Sequence, residues 1–511
     1  MSLALFWQVG DKMTEEIADI CIVTEGSYPY LKGGVAEWCH ELIRAQSDKT
    51  FHVVTLMPLH QKLKICYEFP KNVIGHSMYR VQYLPKGSSS FSTPKKAWDI
   101  IGPMLKGLIS LKNFDDFEPI FKFFDENRNI LGKRILTESE KTWDFFIKLY
   151  SEMIPNGPFK AYFGTLYALS QSIYSLLLPK LPKAKIYHAV CTGYAGFILY
   201  RAKKEQDIPC MITEHGIYSN ERRIEIAMSQ WITEMGSLDL ALEDKKKSLK
   251  DFWLNAFFSM SYVCYKSCEE ILTTFDGNQS IQIEGGADKD KLKTIVYGVD
   301  MDKYTNIVKK EHPLTVAFVG RVVPIKDVKT YIRACKFVNE KLPDVRLLLI
   351  GPTSEDEEYY KECLDLVKSL GLEDKLKFLG HVNLKEYFAE IDVLVLTSIS
   401  EAQPLVMLET GAAGIPFVAT NVGACHQLIY GDERETPNLG QGGVVTPLSN
   451  PEATANGIVK LMTDKQFYNK CSTAIKNRIG TYYRLDKHHE EYRKIYEKYL
   501  NVKSIEKSEE K

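Results

Sequence analysis

The stretch ISEAQPLVMLETGAAGIPFVATNVGA, Ile399 to Ala424, decides how this chain folds. An apolar strand-length run, Val393 to Thr397, comes before it, and a second, Phe417 to Thr420, lies inside it after Gly-Ile-Pro. Between them the spacing predicts a helix starting at Pro404, because proline's fixed φ suits a first turn and its missing N–H costs nothing there. Strand, helix and strand in this order are the unit of a parallel, doubly wound sheet. Glu401 falls in the loop before the helix, beside free main-chain N–H groups that favour anions. Glu409, eight positions on, shares a helix side with Leu405, Leu408 and Ala412 by the three-to-four-residue repeat. A carboxylate on an apolar face is costly unless hydrogen-bonded. Paired sugar hydroxyls are suitable donors to it. The competing reading is a helix with one tolerated surface glutamate.

The same rhythm extends outward. Thr315–Gly320 reads as a strand, Lys326–Glu340 as a helix, Val345–Ile350 and Leu376–Leu379 as strands, and Gly442–Thr446 as a last short strand. In the first half, DICIVTE (Asp19–Glu25), a helix bearing Val35, Trp38, Cys39, Leu42 and Ile43, and Phe51–Leu56 open a second such sheet. From about 59 to 183 the alternation is lost, although FKFFDENRN and KTWDFFIKLYSEM read as helices. It resumes with AKIYHAV, PCMITEHG, helices through Glu221–Met235 and Leu249–Tyr265, then EILTTF and TIVYGVD. The fold class expected is α/β, with two doubly wound Rossmann-like domains facing across a cleft. The expected limits are 1–304 with its insertion, 305–480, a terminal helix over 481–500 packing back on the first domain, and a disordered tail over 501–511. Ligands belong at the carboxyl ends of such sheets.

Composition narrows the class. With 511 residues, 45% apolar and 26% charged, the chain has the length of two or three ordinary globular domains. A net charge of −1 gives no electrostatic case for a nucleic-acid partner. Eleven cysteines are scattered without CxxC spacing, as expected of reduced thiols in a cytoplasmic protein. The opening residues, MSLALFWQVGDKMTEE, lack a basic start and a long apolar core, so no signal peptide is expected. No run approaches the roughly 20 apolar residues of a membrane helix.

Several further residues carry chemistry. In FVGRVVPIKD, Arg321 follows a strand end and Lys326 opens a helix, so both can meet phosphate oxygens at the sheet's ligand end. Gly33 and Gly34, before a helix, permit close approach of main chain to ligand. His215 ends the TEHG strand, and Tyr218, Arg222 and Arg223 follow it. VDMD (Val299–Asp302) reads as a capped turn, and no His or carboxylate cluster has metal spacing. No metal and no cofactor are expected.

In this order and at these intervals, the double glycine, GRVVPIK and EAQPLVMLE followed by GAAGIPFVAT resemble retaining glycosyltransferase family 4 of the GT-B fold. TEGSYPYLKGGVAEWCHELI, YHAVCTGYAG, TEHGIYSNERRIEI and FVGRVVPIKDVKTYIRA are similar, more narrowly, to its cytoplasmic members that build Pel exopolysaccharide. The resemblance implies a UDP-sugar donor, UDP-glucose above others, and a polysaccharide acceptor. It also implies possible work beside an inner-membrane synthase complex. By it, Glu409 holds the ribose, Arg321 and Lys326 the diphosphate, and Glu401 the transferred sugar. The amides of Leu405 and Val406 meet phosphate, Gly33–Gly34 closes over it, and Gly380-His381-Val382 contacts the base. His215 lies beside the reacting carbon. Relatives have Gly-Phe-Gly where this chain has Ala402-Gln403-Pro404; Pro404 removes an amide contact that Gln403 would replace. The alternatives are a sugar-nucleotide epimerase of the same fold and a non-catalytic donor-binding subunit.

Overall fold

The computed structural model describes residues 16–89, 94, 96–111, 117–155, 157–228, 249–304, 307–309, 311–433 and 435–509. The opening stretch to residue 15, and residues 229–235 of the helix expected through Met235, lie outside them. The chain divides into two compact units. One comprises Met1–Thr273, Gln279–Lys293 and Arg493–Lys511; the other comprises Thr274–Asn278 and Thr294–Tyr492.

The first unit is built on a sheet of seven strands: β1 (Ala18–Glu25), β2 (Phe51–Pro58), β3 (Val73–Val81), β4 (Ala184–Ala189), β5 (Cys210–Glu214), β6 (Glu270–Thr273) and β7 (Leu292–Thr294). Their order is β3-β2-β1-β4-β5-β6-β7, with β1 parallel to both β2 and β4. Strand β1 is buried along nearly its whole length, as a parallel strand covered on both faces must be. Strand β3 lies within the segment whose rhythm fails in the sequence. Its burial alternates because it is an edge strand, and Gly75, His76, Ser77 and Arg80 hide its apolar pattern. The helices that follow β3, among them Glu118–Asn127 and Glu140–Met153, join the main core. Phe117, Phe121, Tyr162 and Leu166 belong to one cluster with Cys21 and Val23. The segment is therefore an elaboration of the first domain and shares its core.

The second unit carries β8 (Thr315–Val319), β9 (Arg346–Ile350), β10 (Leu376–Gly380), β11 (Val393–Leu396), β12 (Phe417–Thr420) and β13 (Gly443–Thr446). The order is β10-β9-β8-β11-β12-β13, every pairing parallel. TIVYGVD is not a strand as expected: β7 ends at Thr294, and beyond it only Val299 forms an isolated bridge, to Arg484. The last helix, Leu485–Glu509, continues past residue 501, where a tail was the expectation. From Arg493 it belongs to the first unit. There Tyr496 Oη meets His188 Nδ1 at 2.7 Å and Arg493 pairs with Asp48 at 2.8 Å.

Candidate functional site

A doubly wound sheet opens a crevice where its strand order reverses, at the carboxyl ends of the two strands flanking the reversal. In the second unit those strands are β8 and β11. Lys326 follows β8 on a short 3-10 turn, Pro324–Lys326, and Glu401 follows β11. The structure brings them together: Lys326 Nζ donates to Glu401 Oε1, and both side chains are largely buried. Ser398 Oγ donates to the same oxygen at 2.6 Å. Asp327, at φ +43, caps the helix Val328–Lys341 by accepting from Thr330 N, which fixes the turn that presents Lys326.

Arg321 is set apart from this pair. Its guanidinium is half-exposed and bonds Glu355 at 2.7 Å. The helix after Glu401 runs Leu405–Ala412, with Pro404 as its N-cap and no side-chain cap. The amides of Leu405 and Val406 are thus among the first N–H groups that a helix leaves without internal partners. Glu409 is half-buried beside the half-buried Leu405 and Val406, whereas Leu408 and Ala412 go into the core. It therefore does not share the buried face that the spacing gave it. Gly380, at φ +66, ends β10 and leads into exposed His381 and half-buried Val382.

Gln403 is buried, and its Oε1 accepts from Tyr297 N at 2.6 Å. Its Nε2 is sealed from solvent without a hydrogen bond. In this arrangement its amide braces the 294–299 segment instead of standing in for the amide that Pro404 lacks.

In the first unit the strand order reverses between the paired strands β1 and β4. A cavity of about 560 Å³ lies there, bordered by Glu25, Leu56, Tyr194, Tyr218, Arg222 and Phe257. Glu25 ends β1 and accepts from Tyr218 Oη at 2.7 Å and from Ala195 N at 3.2 Å. Tyr218 also lies under the Arg222 guanidinium, 5.1 Å from its ring centre. Gly33 and Gly34 begin the helix Gly34–Ala45 and are exposed. His215 packs edge-on against Trp38 of that helix, ring centres 4.5 Å apart, and is not among the residues lining the cavity. The preceding Glu214 is fully buried, and burial pushes its carboxyl up despite the donors around it. Tyr265 and Gln282 bond one of its oxygens, and Thr192 the other. That saturation marks a structural role.

Sequence reasoning missed Glu25 and Ser398. Each follows the last apolar residues of a strand, the same signal that singled out Glu401. Among the described residues, no group of three or more His, Cys, Asp or Glu is disposed to hold a metal ion, and no helix is long and apolar enough to cross a membrane.

Comparison with known proteins agrees with this architecture. The chain is 28% identical over 229 residues to an uncharacterized glycosyltransferase of Methanocaldococcus jannaschii, covering 42% of this chain and 55% of that protein. It is 30% identical over 206 residues to a D-inositol 3-phosphate glycosyltransferase of Mycobacteroides abscessus, covering 38% and 44%. The chain thus spans about half the length of the curated relatives it matches. Among solved structures it is similar to Anabaena Alr3699/HepE in complex with UDP and glucose, with a TM-score of 0.55 and 13% identity over 94% of this chain and 99% of that one. Sucrose-phosphate synthase from Thermosynechococcus elongatus gives 0.59 and 13% over 95% and 100%. At such identity the likeness concerns fold alone, which is that of the GT-B glycosyltransferases. By its match over residues 18–290 the chain belongs to the family described as Domain of unknown function (DUF3492), and over residues 301–478 it carries a domain of the glycosyl transferases group 1.

Proposed function

We propose that this protein is a retaining glycosyltransferase that moves a hexose from a UDP-sugar, UDP-glucose above others, to a growing exopolysaccharide. The narrower reading is a PelF-type enzyme of glycosyltransferase family 4, working in the cytoplasm without a metal, beside an inner-membrane synthase. The observation that carries the reading is the meeting of Lys326 and Glu401 at the reversal of the second sheet, just before an uncapped helix start. Cation, carboxylate and main-chain amides in one crevice form a donor set for a diphosphate joined to a polyhydroxylated ring.

In this reading Lys326 and the amides of Leu405 and Val406 hold the diphosphate, Arg321 adds charge on leaving Glu355, and Glu409 takes the ribose hydroxyls. Val382 and His381 meet the base. Gly33, Gly34 and His215, all in the first unit, keep the donor and acceptor roles that the family resemblance gives them. The sugar–phosphate bond breaks as its electron pair moves to the diphosphate, where fixed cations stabilise the developing charge. The acceptor oxygen bonds the same face of the sugar carbon, and a phosphate oxygen of the leaving group takes its proton. The cavity at Glu25 and Tyr218 is the acceptor pocket of this scheme.

The test is a thermal-shift panel of nucleotides and nucleotide sugars, with and without magnesium. A ligand at about 100 times its Kd stabilises by roughly 2.7 kcal/mol, and the uridine series should stand out in both conditions. Stabilisation by adenine or guanine nucleotides alone would overturn the donor assignment. Inversion at the new linkage, read by NMR, would overturn retention.

A further inference from the structure

The loop after β11 and the turn after β8 are joined through main chain before their charges meet. Thr397 Oγ1 donates to the carbonyls of Lys326 and Asp327 at 3.2 and 2.9 Å. Ile399 N donates to Ile325 O at 2.9 Å. From the other side, Thr420 Oγ1 donates to Ser398 O at 2.7 Å. Ser398 is completely buried, and its hydroxyl has one acceptor, Glu401 Oε1. Lys326 Nζ donates to that oxygen too, and among the described residues Oε2 accepts no hydrogen bond. An ionised carboxylate offers about four lone-pair sites over its two oxygens, so this loading is one-sided.

We infer that Ser398 is a positioning residue that gives the two oxygens of Glu401 separate tasks, one held by the protein and the other turned to the donor sugar. The inference rests on the UDP-sugar reading given above. An entering diphosphate draws Lys326 away, and the charge-assisted bond from Ser398 then holds Oε1. Ser398 is too deep to touch a ligand itself. Without its hydroxyl, Glu401 is free to turn about its last torsion, and the oxygen meant for the donor sugar is no longer held toward it.

The experiment uses the full chain, with UDP and UDP-glucose as probes, calorimetry for binding and UDP release for turnover. For Ser398→Ala, UDP affinity stays within about twofold, while the added affinity of UDP-glucose over UDP is lost and turnover falls about tenfold or more. Ser398→Cys keeps the volume with a weak donor and falls between the two; if the alanine variant does not fold, it carries the comparison. Equal weakening of UDP and UDP-glucose, with cysteine no better than alanine, would reduce Ser398 to a structural residue and overturn the inference. So would unchanged turnover in a folded alanine variant. If the unsubstituted chain binds no UDP, the donor reading fails first, and this inference falls with it.

Discussion

Gly423 lies directly against the main chain of Glu401: a Cβ on Gly423 would stand 2.3 Å from the Glu401 carbonyl oxygen. Its φ is +49, a left-handed conformation that costs other residues roughly 1–2 kcal/mol. Ala424 N then donates to Ala402 O at 2.7 Å, tying the loop after β12 to the one that carries Glu401. Gly423→Ala should therefore push Glu401 out of place. A lowered Tm is expected, by roughly 2–4 °C per kcal/mol lost for a domain of this size, with a larger proportional loss of UDP-sugar turnover. A folded variant with full turnover would show that this packing does not set the position of Glu401.

Lys326→Met removes the ammonium that Glu401 faces. A hydrogen bond to a charged group is worth roughly 1.5–3 kcal/mol, so UDP affinity should fall at least about tenfold. Adding Glu401→Gln should restore part of the stability lost by the single variant, because it removes the stranded charge. Calorimetric binding and urea unfolding of the two single variants and the double variant measure that coupling.

Arg478 is 1% exposed, and all five of its N–H groups are engaged. Two bond Glu435, and three bond the carbonyls of Leu428, Ile429 and Gly440. Burial raises the Glu435 carboxyl, but the bonds from Arg478 outweigh it and hold it below the usual range. Arg478→Met leaves that carboxylate buried and unpaired, at a cost of about 3–5 kcal/mol. Urea unfolding followed on the second unit should show the loss. Arg478→Met with Glu435→Leu should recover much of it.

Burial lowers His52 and His76 from 6.5 to about 4, His488 to about 4 and His188 to about 3. The unfolded chain protonates these rings near 6.5 while the folded chain keeps them neutral, so the unfolded state holds more protons between the two values. Stability is full above pH 6.5, falls as pH drops through the window from 6.5 to about 4, and levels off below the folded values. A shift from 6.5 to about 4 corresponds to roughly 3 kcal/mol for one ring. Unfolding free energies measured across pH 4–7 check this, and His52→Gln should flatten the slope. A slope of opposite sign would overturn the account.

Much of this was legible in the residues themselves. Uninterrupted apolar strands such as Cys21–Val23 and Val393–Leu396 announce a sheet covered on both faces, and Pro209 and Pro416 mark where two of the crossovers end. Strand β3 was hidden because an edge strand tolerates polar side chains. Within the site, Lys326 and Glu401 could be predicted as loop residues at neighbouring strand ends. That they would bond each other depends on Thr397 and Ile399 joining two distant loops, which no local pattern encodes. The spacing set Glu409 on the side of Leu408, yet the helix buries the arc of Met407, Leu408, Thr410, Gly411 and Ala412, which leaves Glu409 at its edge. The contact Gln403 makes was hidden for a similar reason: its partner, Tyr297, is 106 residues away.

The bond between His188 and Tyr496 has a consequence for biogenesis. His188 lies in a central strand of the first sheet, and its ring is covered by a residue that the ribosome adds 308 positions later. That contact of the first sheet can therefore form only after residue 496 has been synthesised and released from the ribosome.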